Sequence, residues 1–168
     1  MMLYERSSKR QRSSAKSRLT RCVNSLTKLL DEESSNLCEA TSLFDDVYKA
    51  WSEVETAHAN HIATLEEELP EDDRWIIAEQ DKFDKVRRQF IQYKERVSEQ
   101  KALKEARHNR DICDIIYNEQ YTLLESSLIN GHSIQIILKN RDALQNKLAE
   151  LEKAHRQVLI LSKDTEDS

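Results

Sequence analysis

Residues 44–65 read FDDVYKAWSEVETAHANHIATL. Phe44, Val47, Trp51, Val54, His58, His61 and Leu65 follow one another by alternating steps of three and four. Leu37 and Ala40 carry the same spacing backwards, so the pattern covers four heptads. It is the mark of a helix that packs one face along its whole length. Tyr48 and Ile62 widen the stripe. The predicted helix spans 35–69, with Ser34 or Ser35 as its N-cap. Pro70 ends it, because proline lacks the N–H and clashes with the preceding turn. Pro70 also suits the first turn of a following helix, whose positive end then meets Glu71, Asp72 and Asp73.

Forward from Pro70 the pattern repeats. Ile76, Glu79, Phe83, Val86, Phe90, Tyr93 and Val97 form a second seam. It fades across 98–110 and resumes with Ile112, Ile116, Leu123, Leu124 and Leu128. Nothing between breaks a helix, so one helix is expected over 71–129. Asn130-Gly131 supplies its cap, with Gly131 in the left-handed conformation. A last helix over 133–161 carries Ile134, Ile137, Leu144, Leu148, Leu151, His155 and Val158. Backward from residue 35, a helix over 16–30 carries Leu19, Cys22, Val23, Leu26, Leu29 and Leu30.

Short connections imply antiparallel neighbours, and facing residue numbers should then share a constant sum. For the second and third helices a sum of 141 pairs Leu65 with Ile76, His58 with Phe83, Trp51 with Phe90 and Phe44 with Val97. For the first and second helices a sum of 66 pairs Leu29 with Leu37, Leu26 with Ala40, Cys22 with Phe44 and Leu19 with Val47. The last hairpin pairs Leu124 with Ile137, Tyr117 with Leu144 and Cys113 with Leu148. The expected fold is all-α: a three-helix antiparallel bundle over 16–108 running on into a helical hairpin over 109–161. A basic arm (1–15) and an acidic tail (162–168) are expected to be disordered. The hairpin is thin and calls for a second chain to cover it.

Composition excludes the alternatives. The 168 residues hold one glycine and one proline, against average usage of about 7% and 5%. Sheets with many turns need more of both. Neither G-x-G-x-x-G nor a P-loop can be written with one glycine. No run approaches the roughly 18 apolar residues of a membrane span, and the first residues do not resemble a signal peptide. Cys22, Cys38 and Cys113 form neither a disulfide framework nor a zinc pattern, so a reducing compartment is expected. The expected localisation is cytoplasmic, with the nucleus as the alternative suggested by Lys9-Arg10-Gln11-Arg12.

Charge is uneven. Arg6, Lys9, Arg10, Arg12, Lys16, Arg18 and Arg21 face only Glu5 within residues 1–21, a net +6. With a total of -5, the remainder carries -11. A basic arm before an acidic body is a polarity that meets nucleic acid or an anionic surface.

The chemistry-bearing residues point elsewhere. His58 and His61 lie on one helix face and would offer two metal corners, with Glu79 opposite as a third. Both occupy seam positions, and the preferred reading is a polar core contact between His61 and Glu79. No nucleophile has a base beside it in the sequence. No catalytic residue, metal site or cofactor is expected, and the chain is not expected to be an enzyme. The candidate interaction seam is Phe44, Val47, Trp51, Val54, His58, Phe83, Val86, Phe90 and Tyr93.

Lys16-Ser17-Arg18-Leu19-Thr20-Arg21, then Leu43-Phe44, Trp51, Glu55, His58, Ile62 and Glu66-Glu67-Glu68, then the Phe83–Val86–Phe90 stripe after Pro70, resemble a known arrangement. It is that of the N-terminal helical segment of Gag-like polyproteins of Pao/BEL-type LTR retroelements, over residues 16–97. The resemblance implies an assembly or self-association module. It does not imply protease, reverse transcriptase or integrase activity, because the residues of those domains, the capsid-like region and the Cys-Cys-His-Cys knuckle do not occur here. The expected function is therefore a non-enzymatic coiled-coil interaction module whose partner is protein, foremost a second copy of itself. The alternatives are nucleic-acid binding through residues 6–21, or a cytoskeletal or trafficking adaptor.

Overall fold

The structure, a computed structural model, describes residues 2–32, 36–65 and 70–166. These residues form four helices and no strand: α1 Met2–Leu30, α2 Leu37–Ile62, α3 Pro70–Ile129 and α4 Ile134–Glu166. Contacts divide the chain into two units, Met1–Glu95 and Arg96–Ser168. The division lies earlier than the boundary at 108 expected from the sequence.

The first unit packs α1, α2 and the opening of α3. Leu19, Leu26, Val47, Val54 and Val86 are fully buried at its centre. Burial on α2 is wider than one seam, because two helices press on it. Ala50 and Ala57 join Ala40, Val47, Trp51, Val54 and His61 in the core. Alanine at these points lets the neighbouring helix approach closely.

Among the described residues, three stacked ring pairs join α2 to α3. Phe44 stacks on Phe90 with centroids 4.3 Å apart, Trp51 on Phe83 at 5.2 Å, and His58 on Trp75 at 5.6 Å. The first two pairs share a residue-number sum of 134, one heptad from the expected 141. A slip of seven residues leaves every apolar position on its face, so periodicity alone cannot set it. Two things do. The observed register stacks ring on ring, and α2 stops at Ile62 instead of running to Pro70. Ala63 and Thr64 close the helix end through amides given to the carbonyls of Ala59 and His61, which moves the fold-back point forward. The expected helical residues 66–69 lie outside the described residues.

The α1–α2 register also moves. Ser8 meets His61 and Arg18 meets Glu53, sums of 69 and 71 against the expected 66, about one helical turn away. The connection is capped by Asn36, whose side chain accepts from the amide of Cys38. Ser34 and Ser35, the caps expected, lie outside the described residues.

Residues 2–15 are not a disordered arm. They are the first half of α1, with Ser8, Arg12 and Ala15 buried. The inner stripe of α1 continues through them at helical spacing, with polar residues in place of apolar ones.

In the second unit, Gly131 at φ 66° terminates α3. The amide of His132 bonds the carbonyl of Ser127, and that of Gly131 the carbonyl of Leu128. This is the paired closure that needs a left-handed residue at the turn. Asn140 Nδ2 donates to Ser127 Oγ at 2.6 Å, and Ser127 is buried. That contact sets a sum of 267 where 261 was expected. Covered positions on α3 (Ala106, Cys113, Tyr117, Gln120, Leu124) and α4 (Leu144, Lys147, Leu151, Ala154, Val158) keep the same spacing. Cys113 therefore faces the level of Ala154, not Leu148. Residues 162–166, expected in a disordered tail, belong to α4.

Candidate functional site

Two regions bear on function: a buried polar cluster in the first unit and an exposed apolar surface on the second.

The cluster begins with α1. Arg12 Nη1 donates to Asp72 Oδ1 at 2.5 Å, and the guanidinium lies 4.1 Å from the Trp75 ring centroid. His61, 1% exposed, places Nδ1 2.9 Å from Ser8 Oγ and Nε2 3.4 Å from Asp72 Oδ1. Glu79, also 1% exposed, takes Lys16 and Lys82 at 2.9 Å each. His61 and Glu79, expected to meet as a polar core contact, are each seen with other partners. Both groups are buried, but the register shift gives His61 to Ser8 and Asp72, and Glu79 to the two lysines. His58 stacks on Trp75, and its buried Nδ1 has no hydrogen-bond partner among the described residues. The two histidines thus turn to different neighbours, and no group of three metal-ligating side chains assembles among the described residues.

Ser8, His61 and Asp72 share the residue types of a hydrolytic triad. Their surroundings oppose that chemistry. All three are buried, and Asp72 is held by Arg12. Ser8 sits inside α1, where the backbone amides serve the helix ladder and do not converge on an oxyanion. What the cluster does is tie three helices together, since each buried charge has an opposite partner.

Its electrostatics favour neutral pH. The Arg12 hydrogen bond holds the Asp72 carboxyl below its ordinary value of 3.8, against the opposing effect of burial. Burial raises Glu79, but hydrogen bonds from Lys16 and Lys82 outweigh it and leave the group below 4.5. Burial first, then Arg12, lowers His58 below 6.5. In each case the unfolded chain binds more protons than the folded one, so stability rises with pH. The His58 contribution is complete above 6.5 and fades below it. Those of Asp72 and Glu79 are complete above 3.8 and 4.5 and are lost as pH falls through the lowered folded values. The urea midpoint of the first unit is therefore expected to decline from pH 7 to pH 3. His58→Phe should flatten only the upper part of that decline, which circular dichroism at stepped pH would check. A midpoint independent of pH would contradict this arrangement.

The candidate basic arm is partly engaged within the chain. Arg12 holds Asp72, Lys16 holds Glu79 and Arg18 holds Glu53. Lys9, Arg12, Ser13, Lys16 and Trp75 line an open groove of about 410 Å³. Arg6, Arg10 and Arg21 are exposed on α1.

The candidate interaction seam is internal. Val47, Trp51, Val54, Phe83, Val86, Phe90 and Tyr93 are buried, and Phe44 and His58 half-buried, within one chain. The exposed apolar surface lies elsewhere. Among the described residues, thirteen large apolar side chains stand exposed in the second unit and three, Tyr48, Ile77 and Ile91, in the first. On α3 these include Ile112, Ile116, Tyr121 and Leu123; on α4 they include Ile134, Leu138, Leu148 and Leu159. Two helices can cover only one face of each other, and these residues flank that face. Ile116, Leu123 and Leu148 were visible in the sequence as stripe residues, but not as exposed ones. Leu138 and Leu159 fell outside the stripes.

No family model, curated protein or solved structure matches the chain. No helix among the described residues is long and apolar enough to cross a membrane.

Proposed function

We propose that this chain is a non-enzymatic helical interaction module that associates with itself through its C-terminal hairpin. One observation carries the reading: exposed large apolar side chains concentrate on α3 and α4 of the second unit, while the first unit buries its own. Contiguous apolar surface on a folded chain marks an interaction site, and two packed helices leave flanks that a second pair would cover. The resemblance of residues 16–97 to Gag-like N-terminal segments supports an assembly role. Nucleic-acid binding through residues 6–21 draws less support, because Arg12, Lys16 and Arg18 already neutralise acids of the same chain.

Sedimentation equilibrium of the whole chain tests the proposal. A dimer or larger species is expected at tens of micromolar. Leu148→Lys with Leu159→Lys should reduce it towards monomer at unchanged helix content, whereas Ile77→Lys in the first unit should not. A wild-type monomer throughout would defeat the proposal. It would instead favour a helical adaptor that waits for a different protein.

A further inference from the structure

The outer flank of α4 carries a second heptad stripe. Its inner stripe, through Leu144, Leu151 and Val158, is covered by α3. Beside it, Ile134, Leu138, Arg141, Gln145, Leu148, Glu152, His155 and Leu159 follow by strict steps of four and three, and all eight are exposed. The apolar members are far from marginal: Ile134 is 75% exposed and Leu159 60%. A seam of this regularity with nothing on it is the surface of an unfilled coiled coil.

Its charges choose the occupant. Read against itself in reverse, the stripe sets apolar against apolar at its ends and opposite charges against each other further in, with mixed apolar–polar layers between. Ile134 faces Leu159, Leu138 faces His155, Arg141 faces Glu152 and Gln145 faces Leu148, and each pairing recurs by symmetry. Every layer sets one kind of heptad position against the other, as antiparallel helices require. In a parallel pairing, Arg141 would meet Arg141 and Glu152 would meet Glu152. Like charges at facing positions oppose association. Among the described residues of one chain, Arg141 pairs with its neighbour Asp142, and Glu152 with Arg156 one turn away. Such exposed local pairs contribute little, so both side chains are available to exchange partners.

We propose that this stripe of α4 docks on the same stripe of a second copy, antiparallel and two-fold symmetric, with two reciprocal Arg141–Glu152 pairs fixing direction and register. The interface is isologous, the commonest form of oligomer contact. This inference rests on the self-association proposed above and specifies its geometry.

Charge reversal separates the two. Arg141→Glu alone turns both reciprocal pairs into repulsions, and so does Glu152→Arg alone. Each is expected to weaken the dimer about tenfold or more in sedimentation equilibrium, the scale of converting two attractive pairs into two repulsive ones. The double variant Arg141→Glu/Glu152→Arg should return to near wild-type affinity. An equimolar mixture of the two single variants should also recover, because each supplies the charge the other lacks. Helix content by circular dichroism stays constant across the set. If wild type associates but the single reversals leave it unchanged, or the double variant does not recover, this interface is wrong while self-association stands. If wild type does not associate, both fail.

Discussion

Asp72→Ala is expected to lower the stability of the first unit by about 3–5 kcal/mol, the usual cost of removing one member of a buried ion pair. Asp72 holds the Arg12 guanidinium and lies beside His61 Nε2. Its loss leaves a cation in a site with little water and removes a neighbour from a ring 1% exposed. Replacing both partners by apolar residues, Arg12→Leu with Asp72→Leu, should recover most of the loss, because no buried charge then remains unmatched. The readout is favourable. Both tryptophans, Trp51 and Trp75, lie in this unit, so urea unfolding followed by tryptophan fluorescence reports on it directly. A loss below about 1 kcal/mol, the range of a solvent-exposed pair, would show that the cluster is open to water.

Phe83→Ala is the second large effect, again about 3–5 kcal/mol. Phe83 is buried, stacks on Trp51 and lies tilted to Tyr48 with ring centroids 6.2 Å apart. Double-mutant cycles turn it into a test of register. Trp51 and Phe83 should couple by about 0.5–1.5 kcal/mol, as stacked rings do. Trp51 and Phe90, the partners that sum to 141, should be additive within about 0.5 kcal/mol, because Phe90 stacks on Phe44 one layer away. Strong coupling of Trp51 with Phe90 would restore the register read from periodicity.

The fold was legible because its elements are long and its punctuation is scarce. Pro70 opens α3 and Gly131 closes it, and the heptads between them identify the helices. What periodicity could not give was translation along a seam. A heptad pattern is unchanged by a slip of seven, so the α2–α3 pairing came out one repeat away. The end of α2 at Ile62 decided it, and no apolar residue reports where that end falls. The start of α1 was missed for a different reason. Ser8 and Arg12 occupy inner positions, but a stripe search ignores polar residues unless their partners are known, and those partners, His61 and Asp72, lie over fifty residues away. On α4 the stripe read as one, from Ile134 to Val158, is two. Ile137, Leu144, Leu151 and Val158 turn inward, while Ile134, Leu148 and His155 belong to the outer flank. The thinness of the hairpin was readable in advance, but which side chains it leaves bare depends on the register.

The polar continuation of the α1 stripe also sets where the first unit loosens. From Ala15 onward α1 is held by Leu19, Leu26 and Leu30; before it, by Ser8 and Arg12 and their directed bonds. Residues 6–14 bring no apolar side chain to the core, and their hold depends on the ionised Asp72 carboxylate that Arg12 grips. Amide hydrogen exchange in such a segment proceeds by local opening, at a free energy below that of global unfolding. Amides of residues 6–14 are therefore expected to exchange faster than those of residues 19–26, through openings that leave Leu19 and Leu26 buried.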